Sequence, residues 1–394
     1  MMKKLMLVGA SVLQLPAILK AKAMGLYVAV VDYNPQAIGI SYADEYYNAS
    51  TMDENAVCEV AKSFRPDGIM TLATDMPMRG VAKASEELGL HSISYETAVK
   101  ATDKYNMMKA FKESNVPSPW YFMINSLEDL KSVKKLLTYP CIMKPTDSAG
   151  SHGVVLAYTD VDLIDSYKYS CQYSRRGCVI IEEYLQGQEV SVEIMVVDNK
   201  VNILQITDKL TTGAPYFVEM GHSQPSSLSE IMKEQICKVA TEAVLAVGID
   251  KGPAHVEMMV TPRGPVMIEL GARMGGDNIT THLVPLSTGI DMVKATIAMA
   301  LGEKPDIRPK IHYGAAIRYF NVPSGVITSI RGVECAKIIP GVKQVTFTKS
   351  IGEEVSAIHC SNDRIGFIIA QAETPEKAVR ICEKAMKEVE IIIE

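Results

Sequence analysis

Two glutamates, Glu257 and Glu269, lie in apolar runs on either side of a turn signal, Thr261-Pro262-Arg263-Gly264. Proline fits the first corner of a type I turn and glycine the left-handed position after it. The segment therefore reads as a hairpin with a three-residue loop, Pro262 to Gly264. That loop sets Glu257 directly opposite Glu269 on one face, with Cβ atoms roughly 4.5–5.5 Å apart. Carboxylates so placed repel each other inside an apolar hairpin. A divalent cation reverses the sign of that interaction, because Mg²⁺ takes carboxylate oxygens together with substrate phosphates. Two solvated glutamates on an open sheet face are the plainer alternative.

Other residues carry compatible chemistry. Tyr139-Pro-Cys-Ile-Met-Lys144-Pro puts a lysine at the end of a strand, just before a loop of small residues, 147–153. Backbone N–H groups of such a loop cradle phosphate oxygens while the lysine adds a point charge. No Gly-Lys-Ser/Thr follows, so this is not a Walker A loop, and a plain hairpin is the bland reading. Ile180-Ile-Glu182-Glu-Tyr184-Leu185-Gln-Gly-Gln-Glu189 runs from an apolar strand into a segment ending in a carboxylate. Such a backbone can read adenine edges, and such a carboxylate can accept ribose hydroxyls. Lys209 and Glu219-Met-Gly-His222 fall in a stretch with few helix or strand signals, and loops of that kind often face substrate. His222 is there a candidate for acceptor binding or for a base, with an ordinary surface histidine as the alternative. His255 shares the face of Glu257 but reads first as a structural histidine, as does His282. Ala385-Met386-Lys387 has the look of a biotinyl-lysine site, yet it falls inside an amphipathic helix and reads as helix surface.

These residues need elements to position them. Strands over 5–8, 27–31 and 68–72 alternate with helices over 16–24, 53–64 and 77–89, which means a parallel α/β sheet. Gly9-x-Ser11 lacks the Gly-x-Gly-x-x-Gly of a dinucleotide site, so a structural domain is favoured over a nicotinamide site despite Asp32 after the second strand. A helix over 97–114 carries Asp103-Lys104. Strands over 141–144, 154–157, 179–183 and 190–197 follow, then helices over 229–247 and after Pro285. From 311 short strands and a closing helix over 375–389 read as a separate antiparallel α+β unit. The expected domains are 1–99, 100–308 and 309–394.

Composition excludes several classes. The 394 residues are 47% apolar and 22% charged, with a net charge of −6 and no Lys/Arg-rich run, which argues against a nucleic-acid binder. The eight cysteines form no Cys-x-x-Cys pair, as expected of reduced thiols in a cytoplasmic protein. Met-Met-Lys-Lys and the apolar stretch after it mimic a secretory signal, but Gly9, Ser11, Gln14 and Pro16 break that stretch. No run reaches the roughly 18 apolar residues of a membrane span.

In chain order, Asp103-Lys104, Pro140-x-x-x-Lys144-Pro145, the loop 147–153, Glu182-Glu-Tyr-Leu with Gly187-x-Glu189, and His255-x-Glu257…Glu269-x-x-x-Arg273 resemble the ATP-grasp superfamily. The sequence is most similar to the branch with amino-acid (dipeptide) ligases, phosphoribosylglycinamide synthetase and carbamoyl-phosphate synthetase or biotin carboxylase domains. The resemblance covers nearly the whole chain. It implies an N-terminal parallel α/β domain, a central ATP-grasp fold with a mobile lid subdomain over about 118–185, and a C-terminal antiparallel α+β lobe. It further implies that Lys104 and Lys144 contact ATP phosphates. The loop bearing Ser148, Ser151, His152 and Gly153 would close over the β- and γ-phosphates. Glu182, Tyr184 and Leu185 would line the adenine pocket, and Glu189 would hold the ribose. Glu257 and Glu269 would coordinate Mg²⁺, with Mn²⁺ as a substitute, and Arg273 would steady the transferred phosphate. Arg273, Lys144 and His222 form the expected catalytic set.

One departure stands out: the family usually has Glu-x-Asn-x-Arg, and Gly271 occupies the asparagine position, leaving water or Asn278 to replace a metal ligand. The implied activity is an ATP-dependent carboxylate–amine ligase that works through an acyl-phosphate and releases ADP and phosphate. Its partners would be small-molecule carboxylates and amines, with no nucleic acid or membrane, and a homodimer is a further expectation. Alternatives are a glycinamide-ribonucleotide-type or biotin-carboxylase-like enzyme, a non-catalytic ATP-binding regulator (given weight by Gly271), and a nicotinamide oxidoreductase.

Overall fold

The computed structural model describes residues 2–148, 150 and 152–394. Its first sheet has four parallel strands in the order Glu45–Asn48, Tyr27–Asp32, Lys4–Val8, Gly68–Met70. The two strands at its centre are buried on both faces, as continuous apolar runs require. Helices Leu15–Ala23 and Glu54–Phe64 connect strands of this sheet, and helix Pro77–Leu88 follows the last of them. The helix expected over 97–114 is two helices, Tyr95–Ala101 and Lys104–Glu113. Asp103 causes the break: its carboxylate accepts from the Asn106 N–H at 3.0 Å and starts a new helix.

A second, four-stranded antiparallel sheet runs Tyr121–Ile124, Val179–Glu183, Cys141–Pro145, Val155–Ala157. Helices Leu127–Val133 and Leu163–Gln172 cover it, and its small core of Ile124, Met143, Leu163 and Ile181 is its own. The third sheet is the frame of the molecule. Eight antiparallel strands run in the order Gly264–Gly271, Gly252–Thr261, Gln188–Val197, Lys200–Thr211, Glu219–Gln224, Gly314–Tyr319, Gly366–Ala372, Val342–Phe347. The tail from 311 is antiparallel α+β, but it is not a sheet apart. Gly314–Tyr319 bonds directly to Glu219–Gln224, and helix Pro375–Glu388 packs behind.

The stretch around Lys209 and His222 is not a loop. It forms two central strands in which Lys209 pairs with His222. Polar side chains turned toward a cavity erased the alternation that marks a strand. One apolar core joins the first domain to this sheet, running from Met6 and Val57 through Phe111 to Val192 and Met267. Among the described residues no single helix is long and apolar enough to cross a membrane, and all eight cysteines are free.

Candidate active site

The hairpin that carries Glu257 and Glu269 closes more tightly than expected. Thr261 pairs with Gly264 around Pro262-Arg263, which on its own would place Glu257 out of register with Glu269. A register shift beside Glu257 leaves Ile268 as an extra residue and restores the pair, so Glu257 does face Glu269. The loop length differed and the consequence held.

Counter-charges already surround this pair. Lys104 Nζ lies 2.9 Å from Glu269 Oε2 and donates to the Ser148 carbonyl at 2.8 Å. Burial works against its charge, but Glu269 outweighs that and the pKa is raised. Lys209 is buried and meets Glu257 at 3.2 Å, Glu219 at 3.5 Å and the Glu189 carboxylate. Burial lifts the Glu189 carboxyl above its ordinary value against the pull of Lys209. Behind Glu257, His255 bridges two carboxylates, with Nδ1 2.9 Å from Glu193 and Nε2 3.0 Å from Glu257. Burial disfavours an imidazolium there, yet Glu193 and then Glu257 push the His255 pKa up to about 9. For Glu257 burial is likewise overcome, by Lys209 and then His255, which hold it well below the usual carboxylate range.

Two cavities meet at this hairpin. One, of about 490 Å³, opens between the second sheet and the central sheet. Lys144 reaches it from its strand, paired with Glu182 at 2.7 Å; both are buried, and Glu182 Oε1 has no partner among the described residues. Tyr184 lies 6.0 Å from the Phe217 ring, and Leu185 and Glu189 complete that wall. Ser148 and His152 border both cavities. Gly153 borders neither: its left-handed backbone (φ 77°) is wedged where a Cβ would lie 2.8 Å from Pro145 and Tyr173, so its part is to shape the loop. Ser151 lies outside the described residues.

Residues 137–282 match the ATP-grasp domain model, and residues 318–394 match the L-amino acid ligase C-terminal domain 2. The chain thus carries an ATP-grasp domain followed by an L-amino acid ligase C-terminal domain. It is 26% identical over 402 residues to a formate-dependent phosphoribosylglycinamide formyltransferase of Sulfurisphaera tokodaii, covering 99% of this chain and 97% of that one. An alanine–anticapsin ligase of Bacillus subtilis is 28% identical over 275 residues, covering 64% of this chain and 57% of the relative. Among solved structures, an L-amino acid ligase from Bacillus licheniformis superposes with a TM-score of 0.84 at 25% identity, covering 100% and 99% of the two chains.

The second cavity of this ATP-grasp fold, about 660 Å³, adjoins the first and shares Lys209, Glu219, Glu257 and Glu269 with it. Arg273 borders it, held by Asp75 of the first domain. His222 lies in its wall, 1% exposed, with Nε2 3.3 Å from Asp277 and Nδ1 enclosed without a partner among the described residues. Asp277 is in turn gripped by Arg364 through two 2.7 Å contacts, and Arg364 stacks over Tyr319. Asn278 borders neither cavity, so it is not placed to replace the missing asparagine.

The sequence reading had not assigned Asp75, Asp277 and Arg364. For Asp75 one signal existed, since it follows a parallel strand at its carboxyl end, where α/β sheets place ligands. For Arg364 there was none.

Oxygen donors suit the expected metal. Among the described residues no three Asp, Glu, His or Cys groups converge into a ready-made cage, so the hairpin offers two opposed carboxylates only. That matches Mg²⁺, which is held by one or two carboxylates with substrate phosphates completing its shell.

Proposed function

We propose that the chain is an ATP-dependent carboxylate–amine ligase whose substrate is a free amino acid or similar small acid. The observation that carries this reading is the junction of two cavities at Glu257 and Glu269, flanked by Lys104, Lys209 and Arg273. The cavity beside Lys144, Glu182, Tyr184 and Leu185 suits the nucleotide, with Glu189 placed for the ribose and Ser148 and His152 for the phosphates. The other suits the substrates.

A substrate carboxylate oxygen attacks the γ-phosphorus, forming an O–P bond as the bond to ADP breaks. The amine nitrogen then attacks the acyl carbon, the C–O bond to phosphate breaks, and the nitrogen loses a proton that the departing phosphate is basic enough to accept. Little covalent work falls to the protein. Lys104, Lys144 and Arg273 position and neutralise the phosphates, which is where the rate gain lies. Mg²⁺, or Mn²⁺ in its place, would be held by Glu257 and Glu269 and would supply further neutralisation of phosphate charge. His222 shapes the substrate wall.

The substrate wall separates an amino acid from a phosphoribosyl compound. Its first-domain part includes Ser11, Gln14, Asp32, Thr74 and Asp75, and among the described residues it contains no Lys, Arg or His. A ribotide phosphate would meet carboxylates there, and like charges repel. Exposed Leu13, Tyr33 and Met52 at the same mouth suit an apolar side chain instead.

The test is ADP and phosphate release from Mg-ATP with a mixture of amino acids, products read by mass spectrometry. AMP with pyrophosphate would point to adenylation and overturn the reading. Glu269→Gln should lower ADP release by about 10²-fold or more, the scale of losing one group that stabilises transition-state charge, with the circular dichroism spectrum unchanged.

A further inference from the structure

We infer that Asp75 is a positioning residue for Arg273, and that residue 271 is glycine in order to admit it. The inference rests on Arg273 acting at the transferred phosphate, as proposed above.

Asp75 lies in the chain between strand Gly68–Met70 and helix Pro77–Leu88 of the first domain. Its carboxylate meets Arg273 as a fork, Nε to Oδ1 at 2.8 Å and Nη2 to Oδ2 at 2.9 Å. Nη1 donates to the Met274 carbonyl at 3.1 Å. Three of the five N–H donors of the guanidinium are thus fixed, and the rest remain for a ligand. Arg273 and Asp75 are only 12% and 19% exposed, so the pair is little screened. The backbone reinforces the register: Met274 N donates to the Leu72 carbonyl at 3.1 Å, three residues before Asp75. Because one apolar core ties the first domain to the hairpin, Asp75 meets Arg273 from a rigid base.

Gly271 is the complement. Its backbone is not left-handed, so conformation does not require glycine there. Space does. A Cβ at this position would lie 2.5 Å from Asp75 Oδ1 and 3.0 Å from Arg273 Nε. Any side chain at 271, asparagine included, would expel the Asp75 carboxylate or turn the guanidinium. The departure from the family pattern at 271 and the acid at 75 are then one change, in which a fork from another domain occupies the space of a side chain on the strand.

Asp75→Ala, Asp75→Asn, Gly271→Ala and the double variant Asp75→Ala/Gly271→Ala test this as a cycle, read in ADP release with the amino-acid mixture and in thermal midpoints. Asp75→Ala, Asp75→Asn and Gly271→Ala should each lower kcat at least tenfold with KM for ATP within twofold. The double variant should turn over like Asp75→Ala alone, because the 2.5 Å clash goes with the carboxylate and the unclamped guanidinium can give way at its 3.0 Å contact. Gly271→Ala within twofold of the parent, or effects of the two changes that simply add in rate or in melting, would overturn the inference. A parent protein that releases no ADP would instead sink the ligase reading, while the melting cycle would still decide the coupling.

Discussion

Lys209→Met removes the charge that holds the centre of the site together and keeps most of the side-chain volume. Lys209 is 2% exposed, and its three carboxylate partners, Glu189, Glu219 and Glu257, are only 18–22% exposed. Taking one partner out of a buried ionic group leaves uncompensated charge, at about 3–5 kcal/mol. In a chain this long each kcal/mol moves the melting temperature by roughly 2 °C, so metal-free Lys209→Met should melt about 6–10 °C below the parent. Positive charge brought by Mg²⁺ beside Glu257 should offset part of that deficit, since ligand binding to the native state stabilises it. The variant should therefore gain more from Mg-ADP than the parent does. Melting curves of both proteins, with and without Mg²⁺ and ADP, measure this directly. A variant within 2 °C of the parent in metal-free buffer, or equal gains from Mg-ADP, would refute Lys209 as the counter-ion.

Two further outcomes follow from the same region. His255 has a folded pKa of about 9 against 6.5 ordinarily, so its stabilisation is complete below about pH 6.5 and is lost as pH rises through 9. The loss is on the order of 3 kcal/mol, and denaturant midpoints at pH 6.5, 8 and 9.5 should fall in that sequence; a flat profile would remove the imidazolium from the account. Gly187 abuts the hairpin so closely that a Cβ would lie 1.9 Å from the Val260 carbonyl oxygen. Gly187→Ala should push the segment from Glu182 to Glu189 off the sheet and raise KM for ATP by about tenfold, roughly 1.4 kcal/mol; an unchanged KM would show that the segment does not shape the nucleotide cavity.

The legible parts of this protein were those where local chemistry conflicts with its setting. Like charges opposed in an apolar hairpin announced Glu257 and Glu269, and a lysine ending a buried strand announced Lys144. Strand–helix alternation gave the parallel first domain. What escaped depends on tertiary placement. The strands bearing Lys209 and His222 looked like loop because their polar side chains face a cavity rather than water. Asp103 looked like helix interior although it caps a new helix. Asp75 and Arg364 reach the site from chain segments 198 and 87 positions away from Arg273 and Asp277, and no local pattern encodes such meetings.

The ladder that runs without interruption from Glu219–Gln224 into Gly314–Tyr319 bears on engineering. A chimera spliced near residue 309 would swap the tail but leave its first strand to be re-registered against a foreign edge, four rungs at once. Arg364 would arrive misaligned on Asp277, and the cavity floor would change with it. The second sheet, from Tyr121 to Glu183, forms no ladder with the other sheets among the described residues and has a core of its own on one face, so it is the better cassette for exchange, provided that Ile180, which packs into the shared core, and Arg176, which meets Asp103, are kept.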